Sequence, residues 1–163
     1  MVDSQQADDP DSPYEITVTT EVAEHAIDEA QLKRAIERAL RRHDCQAARI
    51  GVAVVDDARI AQVNDQFLNR SEPTDVIAFN LNDGDGEEGL DGEIVLSAET
   101  AQRESLHRGH SAEAEGVLYA VHGILHLLGM DDRSETHARA MHEEEDAILT
   151  ELGYGPVYGT GGE

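Results

Sequence analysis

The chain is expected to form an α+β domain, a small mixed β-sheet of about four strands packed against about five helices. Three observations predict this. Short apolar runs, alternating or β-branched, are interleaved with longer stretches whose apolar residues recur every 3.6 positions. Residues that cap helices stand at several of the junctions. At 163 residues the chain is long enough to bury a proper core as one domain.

The elements follow in order. Residues 15–20 alternate like a half-buried strand, and residues 28–43 form an amphipathic helix with Ala30, Leu32, Ala35, Ile36 and Leu40 inward. Residues 50–55 make a short buried strand, and residues 57–69 a helix through Ile60, Val63 and Phe67. Residues 75–80 and 93–96 are strands, with a glycine-rich acidic loop over 83–93. Ser97 is a natural N-cap for a helix to residue 107. Ser111 opens the next helix, where Glu113 and Glu115 suit the positive end of the helix dipole. Residues 133–152 form the closing helix, with Ala140, Met141, Ala147, Ile148 and Leu152 as its inner stripe. The single domain is expected over residues 15–154. Before it lies an acidic disordered tail (residues 1–14), and after it a glycine-rich one (155–163).

Composition narrows the function classes. Tryptophan is absent and there are two phenylalanines, so Leu, Ile, Val and Ala must build the core. Cys45 has no second cysteine to pair with, and a small buried hydrophobe is its expected role. No apolar run reaches membrane-spanning length, and the N-terminus has neither basic nor apolar signal character, so a cytoplasmic protein is expected. The formal net charge is -23, which opposes phosphate binding. Lys33, Arg34, Arg38, Arg41 and Arg42 nevertheless gather on one helix. A solvated face is the common meaning of such a cluster, and a phosphate-steering surface the functional one.

The most informative stretch is His122-Gly123-Ile124-Leu125-His126-Leu127-Leu128-Gly129-Met130-Asp131-Asp132. Histidines four apart on a helix project from one face, one turn above the other. Neutral imidazoles so placed suit one divalent metal. Gly129 can end the helix in the left-handed conformation and bring Asp131 or Asp132 back toward the same metal. Two histidines and a carboxylate leave a position open for water or substrate, the mark of a catalytic rather than a structural site. Paired histidines also occur by chance on solvated faces. Here Val117, Leu118, Val121, Ile124, Leu125, Leu127 and Leu128 make the helix apolar on most sides, and buried histidines need partners. His107, His110, His137 and His142 are expected at the surface. A metalloprotease shares the His-x-x-x-His spacing, but needs glutamate after the first histidine, where this chain has Gly123.

This stretch, followed by Met141, Glu145 and Leu152-Gly153-Tyr154, resembles the YbeY family of bacterial rRNA maturation factors. Asn64, Phe67, the run Pro73-Thr74-Asp75-Val76-Ile77-Ala78-Phe79 and Gly92-Glu93-Ile94-Val95-Leu96 carry the likeness further, in the family's order and over roughly residues 48–154. The resemblance implies a zincin-like metal hydrolase domain and a single-strand-specific endoribonuclease with one Zn2+ per chain. It also implies rRNA as substrate, above all the small-subunit rRNA 3′ end, work in ribosome quality control, and the ribosomal small subunit as partner. A monomer is expected, and no membrane partner. The metal ligands it implies are His122, His126 and Asp132, and Thr74 and Asp75 are expected to line the cleft. Two departures stand out. Asp132 occupies the place of the family's third histidine; a carboxylate remains a competent ligand and widens metal choice toward manganese. Leu68 replaces a functional arginine, and Arg70, two residues on, is the candidate phosphate contact in its stead. A non-catalytic ribosome-associated factor, with metal for structure alone, is the alternative that Leu68 keeps open.

Overall fold

A computed structural model describes residues 12–68, 74–82 and 89–155; Arg70, the acidic residues 83–88 and most of both expected tails lie outside the described residues. The sheet has the order β1-β2-β4-β3. Strands β1 (Tyr14–Thr20), β2 (Ala48–Val55) and β4 (Leu90–Ser97) run parallel, and β3 (Val76–Asn80) is antiparallel to β4 at one edge. Parallel neighbours cannot be joined by a tight turn, so helices carry the chain back between them. Helix α1 (Glu29–Arg42) links β1 to β2, and α2 (Asp57–Leu68) with β3 links β2 to β4. Helices α3 (Ala98–Arg108), α4 (Ala112–Leu127) and α5 (Glu135–Glu151) follow. Among the described residues these are four strands and five helices, as expected, and no helix is long and apolar enough to cross a membrane.

β4 begins three residues before the strand read from sequence, and Gly92 lies within it rather than in a loop. A Cβ on Gly92 would meet Leu127 Cδ1 at 2.6 Å and the Phe79 carbonyl oxygen at 3.0 Å. The glycine marks close packing under α4, not a turn. β1 likewise starts at Tyr14, whose hydroxyl donates to the Cys45 carbonyl (2.7 Å).

Helices α1 and α4 cover one face of the sheet and α2 the other. Leu32, Ala35, Ile36, Ala39 and Leu40 of α1 are fully buried with Ile50, Val52, Val54, Ile94 and Leu96 of the sheet. Ala30, expected inward, is exposed, because it belongs to the first turn beside the N-cap Asp28 and the buried stripe starts at Leu32. On the opposite face Ile60 and Val63 pack on Val55, Ile77 and Val95. The basic cluster of α1 is largely an internal strut. Arg42 pairs with Glu144 and Glu151 of α5 at 2.7 Å each, Arg38 reaches Glu151 at 3.5 Å, and Arg41 pairs with Glu37 at 2.8 Å. The inner stripe of α5 is Met141, Glu145, Ile148 and Leu149; Ala140, expected there, is exposed.

Where α2 and α3 begin side by side, each supplies the other's polar partners. Asp57 Oδ1 accepts from Ser97 Oγ (2.6 Å) and Thr100 Oγ1 (2.7 Å), and Oδ2 accepts from Arg103 (2.7 Å). Ser97 Oγ in turn accepts from the Thr100 N–H (3.1 Å), and Glu99 accepts from the Asp57 N–H (2.9 Å). Burial of Asp57 favours its neutral acid, but the hydrogen bonds from Ser97, Thr100 and Arg103 outweigh it and lower the carboxyl pKa. A carboxylate whose pKa falls on folding adds stability above its unfolded pKa of about 4 and loses it as pH drops through the lower folded value. Asp57→Ala should therefore cost on the order of 1–3 kcal/mol at neutral pH, from the Ser97 and Thr100 hydroxyl hydrogens left without their acceptor. In urea titrations the deficit should narrow between about pH 4 and that lower value. A deficit that stays constant or widens on acidification would contradict it.

Candidate metal centre

Helix α4 is central: Val117, Leu118, Val121, Ile124 and Leu125 are buried, while His122 and His126 are partly open on its remaining face. Gly123 sets how near the helix lies to the sheet, since a Cβ there would stand 3.0 Å from Ile94 Cγ2. The helix ends in a Schellman turn. Gly129 (φ 105°) donates to the His126 carbonyl and Met130 to the Leu125 carbonyl, each at 3.0 Å. That reversal brings the following aspartates back beside the histidines.

His122 Nε2 and His126 Nε2 face each other at 3.0 Å, with ring centroids 4.5 Å apart. Each of these histidines and Asp132 offers one ligand atom, and the three atoms lie within 4.8 Å of one another. Asp131 is engaged elsewhere. Its Oδ1 accepts from the Arg133 N–H (3.1 Å) and pairs with His137 Nδ1 (3.3 Å). Of the two aspartates that sequence leaves open, Asp132 is the one in the cluster.

Behind His122 stands a residue that the sequence reading did not include in the site. Glu145 of α5 has no solvent exposure, and its Oε2 accepts from His122 Nδ1 at 2.5 Å. It lies in the acidic run Glu143-Glu144-Glu145-Asp146, which by charge alone resembles a solvated helix face. The signal was its spacing from Met141 and Ile148, which puts it on the buried stripe. A proton held on Nδ1 by a carboxylate leaves the Nε2 lone pair free, the tautomer a metal ligand needs. The other Glu145 oxygen, Oε1, is buried without a hydrogen-bond partner among the described residues. Burial opposes the charged form of His122, but the hydrogen bond and charge of Glu145, with Asp75 and Asp132, outweigh it and raise the pKa. His126 is shifted down by burial and by His122, against the pull of Asp132 and Glu145. Two converging imidazole nitrogens, one proximal carboxylate and a buried carboxylate behind the first ring fit a divalent cation. Two nitrogens on one tetrahedral zinc stand about 3.3 Å apart, from bonds of about 2.0–2.1 Å.

The cluster opens into a cleft of about 460 Å³ lined by Asn64, Thr74, Asp75, residues 76–78 of β3, His122, Gly123 and His126. Thr74 and Asp75 both line this cleft. Asp75 Oδ1 accepts from the Val76 N–H (2.7 Å), and its carbonyl accepts from the Ser97 N–H (3.0 Å), which ties this wall to the end of β4. Asn64 is buried, 4 % exposed, and brings an amide to the same wall from α2. It too was not picked out as a site residue.

Comparison with known proteins bears on this arrangement. Residues 16–153 match the family model described as "Endoribonuclease YbeY". The chain is 37% identical over 136 residues to the endoribonuclease YbeY of Pelotomaculum thermopropionicum, covering 78% of this chain and 90% of that protein. It is 39% identical over 127 residues to that of Nocardioides sp., covering 74% and 84%. Among solved structures, TM1509 from Thermotoga maritima shares the fold, with TM-score 0.55 at 22% identity over 83% of this chain and 90% of that one.

Two outcomes are expected from chelator competition. Asp132→Ala should weaken zinc binding by about 10–100-fold or more, and Asp131→Ala should leave it nearly unchanged; the reverse order would place the third ligand at Asp131. Glu145→Ala should also weaken binding, by about 10–100-fold, though it touches no ligand atom of the cluster. Affinity equal to the parent's would show that Glu145 only fills space.

Proposed function

The chain belongs to the endoribonuclease YbeY family, and from that premise we propose that its cleft cleaves single-stranded RNA at a zinc centre held by His122, His126 and Asp132. Endoribonuclease action in rRNA processing is the family's activity, on a zincin-like metal hydrolase fold. The observation that carries the reading is the convergence of the three ligand atoms within 4.8 Å at the edge of an open cleft. Bound there, zinc would supply Lewis acidity to a scissile phosphate and to water, with one coordination position left open by three protein ligands.

The chain's own residues do the rest. Glu145 holds the His122 proton on Nδ1 and fixes the ring's direction. The Asn64 amide and Thr74 hydroxyl offer donors on the cleft wall, where a phosphate or ribose oxygen would lie. Asp75 is the carboxylate on that wall able to accept a proton during hydrolysis. Arg70 is assigned the phosphate contact, in place of Leu68. Within rRNA processing we assign the small-subunit rRNA 3′ end as target, with a role in ribosome quality control. The small ribosomal subunit is the partner, and a cytoplasmic monomer the acting form.

A protease is not favoured. The residue after His122 is glycine, which has no side chain to activate water, and the space it would need is filled by Ile94. The test uses one single-stranded and one duplex oligoribonucleotide, with casein as control. The parent protein should cleave the single strand, stop on chelation and recover with zinc or manganese. His126→Ala should lose at least about 100-fold in rate, the scale of a lost metal function, at unchanged melting temperature. Cleavage that persists through chelation, or in His126→Ala, would remove the metal from the mechanism.

A further inference from the structure

An RNA enzyme with a formal net charge of -23 needs a way to hold its substrate that does not depend on attracting phosphate. The arginines of α1 are engaged within the fold: Arg38, Arg41 and Arg42 pair with Glu37, Glu144 and Glu151, and Arg34 donates to Gln31 (2.6 Å). What the cleft does have beside it is an aromatic surface. Along α2 the inward stripe runs Ile60, Val63 and Asn64, all buried, and then Phe67, one turn on and 60% exposed. Asn64 is itself a wall of the cleft. Phe67 is not loose on the surface: its ring meets Phe79 of β3 edge-to-face, with centroids 5.3 Å apart and planes at 67°. Phe79 in turn packs on the cluster of Ile60, Val63 and Ile77, and Ile77, two residues before it on the same face of β3, is itself a residue of the cleft wall.

We propose that Phe67, backed by Phe79, is a stacking platform for an unpaired nucleobase of the strand whose phosphate enters the cleft. The proposal rests on the ribonuclease reading above and deepens it, by giving that site a means of choosing single strands. A free base presents a π-face that a phenylalanine ring can cover whatever the base's identity. A base within a duplex is already stacked and paired, and would have to be pulled out first. Stacking also owes little to charge, so it works on an acidic protein where phosphate contacts are scarce.

The experiment measures steady-state cleavage of a single-stranded oligoribonucleotide by the full-length metal-loaded protein and by Phe67→Ala, Phe67→Leu and Phe67→Tyr. Phe67→Ala and Phe67→Leu should raise KM by roughly 5- to 150-fold, what one base–aromatic stack is worth, with kcat nearly unchanged. Phe67→Tyr should behave like the parent. Zinc content and melting temperature should be the same in all four. The salt dependence of KM should keep its slope, because no phosphate contact is removed. A 2-aminopurine base in the substrate should be quenched on binding to the chelated parent and less so by Phe67→Leu. An unchanged KM in Phe67→Ala, or a Phe67→Leu variant as good as the parent, would overturn the platform while leaving the nuclease intact. Should Phe67→Ala fold poorly, the leucine and tyrosine variants decide between a π-face and mere apolar bulk. A parent protein that neither binds nor cleaves the strand would overturn the ribonuclease reading itself, and the platform with it.

Discussion

A Cβ at position 123 would press on Ile94 at 3.0–3.3 Å, so helix α4 lies this close to β4 because its contact residue is glycine. The site depends on that approach. With Gly123 against the central strand, the neighbouring residues His122 and His126 come to the open margin of the sheet beside edge strand β3. Had the helix stood further out, β3 and the histidines would not share one cleft. The same glycine takes the place that a metalloprotease gives to its general base. Packing and chemistry thus make the same demand at one position. Gly92 serves the approach from the other side, leaving room for Leu127 one turn beyond Gly123.

The polar half of the site is held from α5. Glu145 is fully buried, and a buried carboxylate is costly unless it is compensated. Among the described residues its compensation is incomplete: His122 Nδ1 meets one oxygen, and the other has no partner. A divalent cation at the Nε2 atoms would draw electron density through the His122 ring and make Nδ1–H a stronger donor to Glu145. The carboxylate, the imidazole and the metal would then stabilise one another in a line. That line also explains why α5 must be docked for the centre to form. The Arg42 contacts to Glu144 and Glu151 brace α5 against α1 on its more exposed side.

How much of this was legible in the sequence follows from what each signal depends on. The two histidines and the turn at Gly129 are local, set by helical period and by one left-handed residue: both rings project from one face of α4, and Gly129 has φ 105°. The sheet and helices were legible for the same reason, through period and capping residues such as Ser97, Ser111 and Asp28. Spacing alone leaves Asp131 and Asp132 open, because both follow the glycine; the family resemblance singles out Asp132, and the fold places that residue beside the histidines. Glu145 belongs to the family pattern, but its role is obscured by its neighbours: in a run of four acids charge suggests a solvated face, while the i, i+4 and i+7 positions from Met141 point inward. Period was the better guide. Gly92 misled in the opposite sense, since a glycine in an acidic stretch suggests a loop, and its packing role shows only with Leu127 in place.

The acidic character of the chain has a reading in this light. A third ligand that is a carboxylate adds a negative charge where two neutral imidazoles and a third would add none, and it weakens the metal's pull on substrate. Asp132 is exposed in the cluster, so water screens part of that charge. Asp75 adds another carboxylate to the cleft wall, and both acids favour the charged form of His122. The charge of such a cleft favours a divalent cation over a polyanion. On the proposed reading its grip on RNA would draw, beside Arg70 and a bound metal, on groups indifferent to charge: the Asn64 amide and Thr74 hydroxyl of the cleft wall and the aromatic pair at the end of α2.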